Sequence, residues 1–214
     1  MKNKRFAKYF REYEWSNISA MIRNNSRDPE THTGNFNNQL VVITGATSGI
    51  GYHTARKYAS KGANLLCINR NEKKSETLRL EIESEFGVRC NYLIADLGIL
   101  KDIHIVANEL LKIERPVDVI IHNAGIYLTK RELNAEGLEK VFVIQYLASF
   151  IINYTLKDKL KAQGKARIIM VNSEGHRFAA WGLHLDDLMT LLESLALAGG
   201  RGGVANPARA RHGG

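Results

Sequence analysis

Cysteine is scarce here, with only Cys67 and Cys90 in 214 residues. Both lie in apolar runs, Leu65-Leu66-Cys67-Ile68 and Cys90-Asn91-Tyr92-Leu93, and read as buried free thiols rather than a disulfide. Nothing in this usage calls for an oxidising compartment. No apolar run approaches the roughly 18 residues of a membrane-spanning helix. The N-terminus lacks the apolar core of a secretory signal, so a cytoplasmic chain is expected. None of the seven histidines has a metal-ligand spacing backed by cysteines or acids, and no metal site is expected. The absence of G-x-S-x-G and of a convincing Ser-His-Asp set leaves hydrolase chemistry without support. The most consequential absence is Tyr-x-x-x-Lys, which occurs nowhere, and no tyrosine follows Tyr154.

Acidic residues are missing from both ends. Residues 1–11 hold Lys2, Lys4, Arg5, Lys8 and Arg11, and residues 199–214 hold Arg201, Arg209 and Arg211. Those positions account for the whole net charge of +8, so the middle of the chain is balanced and offers no nucleic-acid-binding face. A composition 44% hydrophobic and 24% charged reads as globular. Residues 1–36 form a basic extension, with Phe6, Tyr9, Phe10, Tyr13 and Ile18 at partly helical spacing. Two readings stay open for it: an arm packed on the domain, or a helix at a membrane surface. Glu12 and Glu14 interrupt any mitochondrial targeting pattern, and residues 24–38, rich in Asn, Asp, Thr and Gly, read as a linker.

From Gln39 the pattern alternates strand and helix. Short apolar runs predict strands at 40–43, 63–68, 90–95, 117–121 and 167–171. Helical patterns fill the gaps at 50–61, 72–86, 100–113 and 132–161. That alternation implies a three-layer, Rossmann-type α/β domain with a doubly wound parallel sheet, cut short after about five strands. The incomplete domain spans residues 37–188. The remainder, 189–214, is a Gly/Ala/Arg-rich tail expected to be disordered. Residues before about 188 favour A/T-rich codons and the tail favours G/C-rich ones. A frameshift, an alternative exon or a truncated gene model produces such a junction.

The first strand ends at Thr44, and Gly45, Thr47, Ser48, Gly49, Ile50 and Gly51 lead into the first helix. Glycines there allow a tight turn and let a pyrophosphate approach backbone amides at a helix N-terminus. The spacing is G-x-x-x-G-x-G rather than the commoner G-x-G-x-x-G. The second strand ends Ile68-Asn69-Arg70 with no acid to hold a ribose 2′-hydroxyl. NADP(H) is therefore expected over NAD(H), with Arg70 on the 2′-phosphate.

These residues together resemble the short-chain dehydrogenase/reductase family over about residues 39–188. Thr44 to Gly51 is similar to its T-G-x-x-x-G-x-G turn, and Asp96-Leu97 to the position that meets the adenine. His122-Asn123-Ala124-Gly125 resembles its N-N-A-G motif, and Arg167 to Ser173 the fifth strand leading to the catalytic serine. The runs Lys130 to Leu133, Gly137 to Lys140 and Leu185 to Leu188 resemble its retinol-dehydrogenase-like and orphan branches. The resemblance implies a nicotinamide-linked alcohol/carbonyl oxidoreductase with a small-molecule substrate and an Asn-Ser-Tyr-Lys tetrad. This sequence offers Ser173, and Gln145 where the family has Asn; the Tyr and Lys are missing. The expectation is a chain of an NADP(H)-linked lineage that itself binds cofactor weakly or not at all and turns over nothing. The alternative is a non-catalytic nucleotide-binding or regulatory module that pairs with itself or a complete relative through the apolar 132–161 helix.

Overall fold

The structure, a computed structural model, describes residues 15–28 and 32–173. The expected contributions of Phe6 to Tyr13, of Leu185 to Leu188 and of the 189–214 tail lie outside the described residues. A helix, α1 (Trp15–Asn25), precedes the sheet and extends into the stretch read as linker.

The sheet has five strands in the order β3-β2-β1-β4-β5, all parallel. They are β1 (Leu40–Thr44), β2 (Asn64–Asn69), β3 (Cys90–Ile94), β4 (Val119–His122) and β5 (Arg167–Met170). Helices α2 (Gly49–Ala59) and α3 (Glu72–Phe86) cover one face, and α4 (Leu100–Lys112) covers the other. A last helical stretch joins α4 on that second face. It begins as α5 (Lys140–Phe142), passes through a π-helical segment (Val143–Leu147) and continues as α6 (Ala148–Ala162). The expected three-layer doubly wound architecture is thus present.

Strand periodicity explains how one sequence feeds two cores. Val41 and Ile43 of β1 point to α2 and α3, joining Ala55, Ala59, Leu78 and Ile82. Val42 points the other way, to Ile103, Val106, Leu110, Ile152 and Leu156. Because both faces are covered, β1 and β4 need continuous apolar runs rather than alternation. Cys67 and Cys90 are buried on the α3 face as free thiols. A hydrogen bond to Cys90 and burial push the Cys67 thiol well up, which keeps it protonated and unreactive.

One boundary differs from the sequence reading. The apolar pattern suggested a helix from residue 132, but the helix starts at Lys140. Leu133 instead bridges Glu139, and Asn134 Oδ1 accepts the backbone amides of Glu136 and Leu138. A side chain that bonds its own following backbone competes with helix. Glu139 then accepts the amides of Val141 and Phe142, giving the true N-cap.

Candidate functional site

The carboxyl ends of the strands carry the site, where sheets of this winding leave a crevice. The turn after β1 is held from below by backbone and side-chain bonds. Gly45 N–H donates to Ile68 O at 2.8 Å, and Ala46 N–H to Asn69 Oδ1 at 2.8 Å. Gly45 and Gly49 have φ of 69° and 56°, a region other residues enter only with strain. Gly51 answers a different need. A Cβ there would stand 2.1 Å from Gly45 O and 2.4 Å from Asn123 Nδ2. Only a bare backbone lets α2 start this close to the turn, with its unpaired first amides at the crevice.

The β4 end locks onto the same turn. Thr44 Oγ1 accepts the amides of Asn123 and Ala124 at 3.0 and 2.9 Å. Asn123 Nδ2 donates to the carbonyls of Thr44 and Gly45 at 3.1 and 3.0 Å. Asp96 is occupied in its own loop, accepting Gly98 N–H at 2.8 Å, while Asp102 Oδ2 accepts Asp96 N–H at 2.9 Å.

Two adjoining cavities follow. The larger, about 430 Å³, is lined by Gly45, Thr47, Ser48, Ile50, Asn69, Arg70, Asp96, Leu97, Asn123, Ala124 and Gly125 among the expected cofactor residues. Asn71 and Lys74 line it too and went unread in the sequence. The smaller, about 240 Å³, takes in Thr44, His122, Gln145, Ser149, Asn172 and Ser173. Leu97, Asn123, Ala124, Gly125 and Ile144 border both, so the two form one groove across the strand ends. Gly49 and Gly51 line neither cavity and act through the backbone path.

Polar chemistry differs between the ends. The larger cavity carries two cations, Arg70 and Lys74, and one buried donor without a partner, Asn69 Nδ2. A buried unpaired donor is costly and is satisfied when a ligand or water supplies an acceptor. The smaller cavity has no charged side chain in its lining. Its one group that titrates near neutrality, His122, is 8% exposed and donates Nε2–H to Asn153 Oδ1 at 2.8 Å. Burial pushes the His122 pKa below 6.5, with the Asn153 bond opposing, so the ring is neutral at pH 7. Gln145 lies in the π-helical segment and its Nε2 donates to Ile126 O at 2.7 Å. π-Helical turns recur at functional sites because the widened turn re-aims side chains. The spacing of the sequence gave no sign of it.

Among the described residues no cluster of three or more His, Cys, Asp or Glu side chains is gathered to hold a metal. No helix among them is long and apolar enough to cross a membrane.

Known proteins resemble this chain in sequence and fold. The short chain dehydrogenase family matches residues 39–182. Retinol dehydrogenase 13 of Homo sapiens is 34% identical over 151 residues, 70% of this chain and 45% of that protein. The WW domain-containing oxidoreductase of Danio rerio is 31% identical over 148 residues, 69% of this chain and 36% of that protein. The polyprenol dehydrogenase of Homo sapiens is 29% identical over 157 residues, 71% of this chain and 47% of that protein. The match therefore spans less than half the length of these relatives. Among solved structures, a short-chain dehydrogenase from Sphingobium yanoikuyae in complex with NADPH superposes with a TM-score of 0.59 at 25% identity, covering 75% of this chain and 65% of that one. With a groove across the strand ends, a matching family pattern over most of the described residues and these relatives, the chain belongs to the short-chain dehydrogenase/reductase family, in its retinol-dehydrogenase-like branch.

Proposed function

We propose that this chain binds NADP(H) along the groove, as a member of a lineage that transfers hydride between nicotinamide and an alcohol or carbonyl. The observation that carries the reading is the pair Arg70 and Lys74 at the larger cavity, with no acid at the end of β2. In this reading the amides of the 45–51 turn take the pyrophosphate, and Arg70 and Lys74 take the 2′-phosphate. Asp96 and Leu97 meet the adenine, and Ser173 and Gln145 border the nicotinamide end. The cofactor would supply the hydride. Ser173 would orient the carbonyl oxygen by hydrogen bonding. An uncharged lining to the smaller cavity favours an uncharged substrate over a keto acid.

The tyrosine that should pass a proton at near-neutral pH, and the lysine that would lower its pKa, have no counterpart in these 214 residues. We therefore expect binding without turnover. Fluorescence titration of the purified chain should give NADPH affinity well above NADH affinity, with no NADPH oxidation in the presence of retinal or aliphatic aldehydes. Steady carbonyl reduction would refute the inactive reading, and equal affinity for the two cofactors would refute the cofactor assignment.

A second reading has its own support: a binding module that pairs with a second copy or a complete relative. Phe142, Tyr146, Phe150 and Tyr154 follow one another at one-turn spacing, with ring centroids 5.3, 6.2 and 6.0 Å apart. Tyr146, Phe150 and Tyr154 are 55, 51 and 69% exposed. An aromatic stripe of this kind marks an interaction surface. Sedimentation should show self-association or co-purification with a relative, lost in Phe150→Glu. A monomer without a partner would remove this reading.

A further inference from the structure

A third cavity, of about 330 Å³, lies at the opposite end of the sheet from the dinucleotide groove. It is bounded by the amino-terminal parts of β1, β2 and β3 and by the last turns of α4 with the loop that follows. Leu66 of β2 and Leu93 of β3 are only partly buried there, facing Ile113 just beyond α4. Ile105 is 49% exposed one helical turn before Glu109, on the same α4 flank and just outside the cavity lining.

The rim is cationic. Arg89 enters β3, Arg115 follows α4, and both line the cavity. Neither guanidinium is in an ion pair among the described residues. Arg115 donates one Nη2 hydrogen bond to Asn38 O, which leaves most of its donors open. The acid on the rim, Glu109, is paired with Lys112 at 2.6 Å. An apolar trough with two planar donors at its mouth presents one polar end and one greasy wall, the pattern of a built ligand site.

We propose that this trough is a second ligand site, taking a single-chain amphiphile with a carboxylate head. The head lies between Arg89 and Arg115, and the chain runs along Leu66, Leu93 and Ile113 towards Ile105. Guanidinium groups match a carboxylate by paired N–H donors, and the leucine wall removes the alkyl chain from water. The site does not depend on the dinucleotide reading, since it shares no residue with that groove.

Calorimetric titration of the full chain with dodecanoate, below its critical micelle concentration and with saturating NADPH present, tests it. Dodecanoate should bind in competition-free fashion. Arg89→Ala/Arg115→Ala should weaken that binding by about tenfold or more, as expected for loss of a charge-assisted carboxylate contact. Leu93→Asp should abolish binding by placing a like charge in the trough. Unchanged thermal unfolding of the arginine variant shows that its fold is kept. Dodecyltrimethylammonium should bind far more weakly than dodecanoate. Absence of dodecanoate binding, equal binding by the arginine variant, or equal binding of the cationic amphiphile would overturn the proposal.

Discussion

Ile120 and Ile168 are the same residue on neighbouring strands, paired on one rung of the sheet, yet they live in different environments. Ile120 is 1% exposed and packs under α4 and α6; Ile168 is 44% exposed at the β5 edge. The contrast holds along both strands. β4 is buried at every position, whereas Met170 and the following Val171 are 42 and 40% exposed. Apolar sequence alone makes a strand; burial is conferred by what lies on both sides. The interior strands, β1 and β4, carry a finished glycine turn locked by Thr44 and Asn123. The β5 side carries Ser173 three residues beyond an edge strand that has β4 as its one neighbour.

The largest effect should come from disturbing the finished side at its tightest point. Gly51→Val would drive a side chain into Gly45 O and the Asn123 amide, which cannot yield without opening the turn. The variant is expected to lose measurable NADPH binding and to unfold at markedly lower denaturant. Gly49→Ala should be much milder, because open space surrounds that position and only its φ of 56° is strained. Near-wild-type NADPH affinity in Gly51→Val would show that the turn is not a cofactor cradle.

The paired isoleucines give the next effect and the sharpest form of the contrast. Ile120→Ala removes a buried side chain from a closed core and should cost about 2–5 kcal/mol in urea unfolding. Ile168→Ala, on the same rung, should cost less than about 1 kcal/mol, since solvent already reaches its side chain. Equal costs would mean that the β5 edge is covered in solution, by a second copy or by another part of the chain.

Cofactor choice tests the finished side again, with a smaller change. Arg70→Ala should weaken NADPH binding by about tenfold while leaving NADH nearly unaltered, because only the former presents a 2′-phosphate to a charged hydrogen bond. A parallel loss for both cofactors would move Arg70 from specificity to general binding. Lys74→Ala should act in the same direction, and the double variant should bring the two affinities together.

The finished side was also the more legible one. Apolar runs bounded by Gly62, Gly87 and Pro116 located the strands, because a parallel strand buried on both faces needs continuous hydrophobicity. The turn was readable because its glycines answer backbone constraints that no other residue meets. Less could be read where tertiary contacts decide. The π-helical segment around Gln145 leaves no periodic trace. The helix start at Lys140 depends on Asn134 capturing its own loop. Lys74 reaches the groove only because Asn71 caps α3 and fixes its first turn beside Arg70. The trough between the amino ends of β1 to β3 and the end of α4 is a feature of packing with no motif.

The smallest effect lies where the two sides meet. His122 ends β4 and reaches across to Asn153 on α6, among the uncharged Thr44, Gln145, Ser149 and Asn172. Burial holds its folded pKa below 6.5, so between those two values the unfolded chain binds more protons than the folded one. Stability from this group is therefore full above the unfolded value of 6.5 and is lost as pH falls from there through the lower folded pKa. His122→Gln keeps an amide within reach of Asn153 and cannot titrate. Thermal unfolding at pH 7.5 and pH 5.5 should show a larger acid loss for the parent chain than for the variant. The difference should be a few degrees at most, since a single partly offset shift is involved. An identical acid loss in both would place the titrating groups elsewhere and leave His122 as a pin between β4 and α6.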